Sequence, residues 1–145
     1  MTIDRNTNFL IVGLGLMGGS YAMALTNKGY QVDAIARRQE TIDYAMGKGM
    51  LRSGTTEVDP ELVGRADVVI FALYPHILMD WLRQYQHLLR PGALVTDVTG
   101  VKNCIVDDIQ HLLRADVEFV AAHPMAGREC SGVENATPSI FYGAN

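Results

Sequence analysis

The chain has 145 residues, of which 48% are hydrophobic and 19% charged, with a net charge of −4; this is the size and balance of one soluble globular domain. No apolar run approaches the ~20 residues that span a bilayer, and the polar start, with Asp4 and Arg5, is no secretory leader, so a cytoplasmic protein without a membrane partner is expected. The scattered Lys and Arg and a pI near 5.5 argue against nucleic acid as a partner, and Cys104 and Cys130 lack C-x-x-C spacing, so neither metal nor disulfide is expected.

Residues 9–12 have the length and side chains of a buried parallel strand, and they run into Gly13-Leu-Gly15-Leu16-Met17-Gly18, a G-x-G-x-x-G at a strand-to-helix junction. Gly13 permits the tight turn, Gly15 removes the Cβ that would hold the backbone away from a pyrophosphate, and Gly18 lets the helix pack close. The amides of Leu16, Met17 and the residues beside them, with the helix dipole, favour a phosphate pair without a basic side chain.

The helix is expected over 16–27, with a stop near Gly29, and a second strand over 30–36. In a dinucleotide fold the position just past this strand takes an acidic residue for the ribose of NAD or an Arg for the 2′-phosphate of NADP. Here it holds Ala36, Arg37 and Arg38, while Asp33 falls three residues early, so NADP is favoured over NAD. A helix follows over 40–48, then a short third strand within 51–56, and Asp59-Pro60 marks a further helix start. Residues 67–73 make another buried strand, at whose end Ala72, Leu73 and Tyr74 are expected to wall the cofactor. Ile77, Leu78, Trp81, Leu82, Tyr85, Leu88 and Leu89 then recur at helical spacing. Strands at 93–96 and 118–122 flank an amphipathic helix from Val101 to Leu113. The alternation predicts an α/β fold, a doubly wound (Rossmann), mainly parallel sheet with helices on both faces, filling 1–145 as one dinucleotide-binding domain cut short at its C-terminal end.

Ligands of such sheets sit beyond the carboxyl ends of the strands. Besides Tyr74-Pro75-His76, two such ends carry chemistry: Thr96-Asp97-Val98-Thr99-Gly100-Val101-Lys102, which also reads as a capping turn, and His123-Pro124-Met125-Ala126-Gly127. A His pinned by Pro before a glycine loop can exchange a proton near neutrality.

Taken together, residues 13–20, 96–102 and 123–134, the last as HPMAGRECSGVE, resemble the prephenate and arogenate dehydrogenases of tyrosine biosynthesis. That resemblance implies NAD(P)-dependent oxidative decarboxylation of prephenate or arogenate, with His123 as the catalytic base. It also implies a helical second domain for dimerisation and substrate, absent from this chain, so that the chain alone is inactive and the complete enzyme a homodimer. The family commonly places a Ser where this sequence has Gly100, and Thr99 is the neighbouring hydroxyl able to serve in catalysis and cofactor contact. Two other readings remain open: a dinucleotide-sensing module without catalysis, and a different small-substrate enzyme such as a β-hydroxyacid dehydrogenase.

Overall fold

The computed structural model describes residues 3–98 and 103–121. The apolar runs become strands because four or five consecutive β-branched and aromatic side chains can be buried on both faces of a parallel sheet. The strands are β1 (Asn8–Val12), β2 (Gln31–Ile35), β3 (Ser53–Thr55), β4 (Val68–Phe71), β5 (Leu94–Asp97) and β6 (Glu118–Ala121). Between them run α1 (Leu16–Asn27), α2 (Gln39–Gly47), α3 (Pro60–Arg65), α4 (Pro75–Tyr85) and α5 (Asn103–Leu112). The sheet order is β3-β2-β1-β4-β5-β6 and every ladder is parallel. Because successive side chains point to opposite faces, Leu10, Val12, Val69 and Phe71 pack under α3, α4 and α5, through Val63, Leu78, Leu82 and Ile109. Phe9, Ile11, Val32 and Ile70 face the other way, onto Ala22 of α1 and Ile42 and Ala45 of α2. The doubly wound sheet expected from the alternation is the fold observed. None of its described helices is long and apolar enough to cross a membrane.

Helix ends follow local chemistry. α1 has the bounds its spacing predicts, and the chain leaves it through Gly29 at φ +91. The Asp59 carboxylate accepts from the Glu61 N–H at 2.9 Å, with Pro60 at the first helical position. α2 begins one residue before the spacing predicts. The expected run of α4 through Leu88 and Leu89 is corrected: the helix ends at Tyr85 and tightens into a 3₁₀ turn, Gln86–Leu88. The Gln86 side chain holds that turn to the end of α5, donating to the Leu112 carbonyl and accepting from the Arg114 N–H. Trp81 is buried edge-on against Phe71, ring centroids 4.9 Å apart, whereas Tyr85 beside it is only half-buried.

One carboxylate joins three elements. Asp33, 1% exposed in β2, accepts two hydrogen bonds from Arg52 (3.1 and 2.7 Å), one from the Ser53 hydroxyl (2.7 Å) and one from Arg65 of α3 (3.1 Å). Burial pushes the carboxyl up, but the hydrogen bonds of Arg52 and Ser53 and the charges of Arg52 and Arg65 outweigh it and hold Asp33 below the usual carboxylate range. Breaking a buried pair costs about 3–5 kcal/mol; both guanidinium groups here are about a third exposed and can turn to water, so Asp33→Asn is expected to cost about 2–3 kcal/mol at neutral pH. A depressed folded pKa contributes stability that is present above the unfolded value, near 3.9, and lost as pH falls through the folded one. The gap between parent and variant should therefore narrow below about pH 4. Denaturant unfolding at pH 7 and pH 3 measures both; a gap that stays constant between them would mean that Asp33 contributes no charge-dependent stability.

Candidate functional site

The strand order reverses direction at β1, between β2 and β4, and a crevice opens beyond the carboxyl ends of these strands. The turn after β1 forms its floor. Gly13 has φ +101 and its N–H donates to the Ile35 carbonyl at 2.9 Å, tying the turn to the end of β2. A Cβ on Gly13 would stand 2.6 Å from the Ala72 carbonyl oxygen, and one on Gly18 would fall on the carbonyl of Gly13 and come within 3.2 Å of the Ala72 Cβ. Gly18 thus lets the first turn of α1 lie directly over the turn that precedes it. A Cβ on Gly15, by contrast, would meet nothing within 4 Å.

Gly15 is the N-cap of α1, with no side-chain capping bond and no acidic residue in the first turn. The contrast with α3 is informative: there a carboxylate occupies the helix N-terminus, and here that position is left to the crevice. The crevice is a cleft of about 580 Å³ lined by Gly13, Leu14, Gly15, Leu16, Met17, Gly18, Ala36, Arg37, Arg38, Thr41, Ala72, Leu73, Tyr74 and Ile77. Among the described residues no acidic side chain lines it, and the two charged ones on its wall, Arg37 and Arg38, are positive.

The three parts singled out in the sequence therefore come together: the glycine turn, the arginines after β2 and the end of β4. Tyr74 is 72% exposed at the lip, its ring stacked with that of His76 at 6.5 Å and an interplanar angle of 10°. Arg38 pairs with Glu40 at 3.4 Å, both side chains being largely exposed, whereas Arg37 makes no ion pair among the described residues. Asp33 lies inside β2 within its own network, away from the slot, as its position in the sequence implies. Leu14, Thr41 and Ile77 also line the cleft without having been singled out. Leu14 and Ile77 offer only shape, and Thr41 stands in the helix turn after the arginines, where no motif marks it. Among the described residues no group of three or more His, Cys, Asp or Glu could hold a metal ion. Thr99 and His123 lie outside the described residues; β5 and β6, which precede them, end at the same edge of the sheet as the cleft.

Residues 21–145 match the family model described as prephenate dehydrogenase, nucleotide-binding domain. The chain belongs to this family. Prephenate dehydrogenase of Lactococcus lactis subsp. cremoris is 31% identical over 93% of this chain and 38% of its own length, so the chain spans well under half of that relative. Among solved structures, prephenate dehydrogenase from Aquifex aeolicus in complex with hydroxyphenyl propionate and NAD+ is 31% identical, with a TM-score of 0.85 over 95% of this chain and 48% of that one. Arogenate dehydrogenase from Synechocystis is 28% identical, with a TM-score of 0.80 over 90% and 45% of the two chains. The family-model match begins at Tyr21, just after the glycine turn.

Proposed function

We propose that this chain is the cofactor-holding part of a nicotinamide-dependent oxidoreductase that oxidatively decarboxylates prephenate or arogenate. The observation that carries this reading is the single cleft that unites the uncapped α1 terminus, the arginine pair and the β4 end in a member of the prephenate dehydrogenase nucleotide-binding family. The residues fit a dinucleotide: Gly15 leaves open space, and the first-turn amides of Leu16, Met17 and Gly18 suit a pyrophosphate. Ala72, Leu73 and Tyr74 wall the remainder of it. When bound, the nicotinamide supplies a hydride acceptor. His123, as neutral imidazole, accepts the proton of the substrate hydroxyl, and Thr99 orients that group. The substrate domain and the homodimer contact lie outside the present chain, whose relatives are more than twice as long. The 145-residue chain by itself therefore binds cofactor without turning over.

The cofactor is NADP in preference to NAD. Among the described residues Arg37 is free of ion pairs, Arg38 is engaged only at the surface, and no carboxylate lines the cleft to repel a 2′-phosphate. Charge-assisted hydrogen bonds worth about 1.5–3 kcal/mol each make the preference about tenfold or more. Calorimetric titration with NADPH and NADH tests this, and the preference should vanish in an Arg37→Ala, Arg38→Ala double variant. Equal affinities in the parent chain would overturn it.

A further inference from the structure

The chain has seven methionines, and the fold sorts the described ones by access. Met50 is 2% exposed, inside the core beneath α1 and α2, whereas Met46 is 42% exposed on α2 and does not line the cleft. Met23 and Met79 are half-buried, each packed against one of the two core layers. Among the described methionines only Met17 lines the cleft, where it too is half-buried. It is the second residue of α1, just past Gly15, the N-cap that offers no side-chain bond. Helical side chains lean toward the N-terminus of their own helix, which sets the Met17 thioether beside the uncapped first-turn amides.

We infer that Met17 is a redox modification site whose oxidation by a hydroperoxide closes the cleft to dinucleotides. The sulfur lone pair attacks the outer peroxide oxygen and an S–O bond forms as the O–O bond breaks. The sulfur is oxidised by two electrons and the peroxide reduced by two, so hydrogen peroxide leaves as water. An apolar side chain thereby gains a strong hydrogen-bond acceptor. At the open end of α1 that oxygen caps the amides itself and places a negative dipole where phosphate oxygens belong. The change is reversible: a sulfoxide reductase working with a dithiol restores the thioether, releasing water and a disulfide. This rests on the dinucleotide reading of the cleft given above. Because access governs susceptibility, Met46 serves as a reactive control outside the cleft and Met50 as an unreactive one.

The test treats the 145-residue chain with hydrogen peroxide, with and without saturating NADP+, which cannot itself reduce the peroxide. Peptide mass spectrometry follows each methionine, calorimetric titration gives NADP+ affinity, and melting temperatures confirm folding. Met17 should oxidise within about threefold of the rate of Met46 and well ahead of Met50. NADP+ should slow oxidation of Met17 about fivefold or more and leave Met46 unchanged, since it shields only the cleft. The oxidised chain should bind NADP+ about tenfold more weakly, the scale of losing one charge-assisted hydrogen bond, and reductases acting on both sulfoxide epimers should restore it. A Met17→Leu chain, whatever its starting affinity, should change less than about twofold under the same treatment. Met17 staying reduced while Met46 oxidises would overturn the inference. So would an oxidised Met17 with unchanged affinity, or a Met17→Leu chain that loses as much affinity as the parent. In each of those cases the untreated parent still binds NADP+; an untreated chain that binds no dinucleotide would instead remove the cofactor reading, and the inference with it.

Discussion

Gly18→Ala is expected to weaken dinucleotide binding by more than about 10²-fold and to lower stability by about 1–3 kcal/mol, because the added methyl has backbone on the side where it must go. Its Cβ would coincide with the Gly13 carbonyl and press on the Ala72 Cβ. Neither can move as a side-chain end moves. Either α1 tilts off the turn or the turn opens, and in both cases at least two of the amides aimed into the cleft lose their direction, at about 1.5–3 kcal/mol each toward a charged partner. Gly15→Ala supplies the contrast. It meets nothing within 4 Å and has an ordinary φ of −91, so stability should change by less than about 1 kcal/mol, the scale of an N-cap substitution. Affinity should nevertheless fall, because the methyl occupies space that a pyrophosphate would fill. Thermal melts and calorimetric titrations of the two variants separate these roles. A Gly18→Ala variant with parental affinity would mean that the turn does not hold the cofactor.

In an enzyme assembled from this chain and the remaining length found in its relatives, His123→Asn is expected to cut kcat by about 10²–10⁴ while leaving cofactor Kd unchanged, the usual effect of losing a positioned acid–base group. A base must be neutral to take a proton, and an unperturbed imidazole titrates near pH 6.5, so parental activity is expected to rise with pH through about that value. The acid limb should be missing from the Asn variant. Asn keeps a polar side chain of similar reach, which makes a loss of kcat with intact binding attributable to proton transfer. Near-parental turnover would reassign His123 to a structural role.

The strands and most helix bounds were legible because they depend on local pattern: four-residue apolar runs such as Val68–Phe71 have few alternatives, and Asp59-Pro60 carries its own start signal. The cleft was legible for the same reason, since the ends of parallel strands must share one edge. What was not legible depends on contacts across the chain. Nothing near Asp33 announces that Arg52 and Arg65, 19 and 32 residues away, converge on it. The end of α4 at Tyr85 follows from the docking of Gln86 on α5, 26 residues on, while the hydrophobic spacing continues through Leu89. Thr41 carries no motif, and only the folded cleft shows that it lines the same wall as the arginines.

The sheet order also bears on how the molecule is assembled. With every ladder parallel, no strand pairs through a short hairpin; β1 closes onto β4 across long stretches of chain, as the bond between Asn8 and Asp67, 59 residues apart, shows. Such non-local pairing is entropically slow to nucleate. An elongating chain that has made only its first strand–helix–strand unit already has the glycine turn and the arginines, yet it lacks the Ala72 backbone against which Gly13 is seated. The cofactor thus has no complete cleft to bind until the crossover to β4 is made, and by mass action it stabilises only the finished topology. Dinucleotide concentration should accordingly slow unfolding far more than it speeds folding, since the ligand joins after the slowest step of assembly.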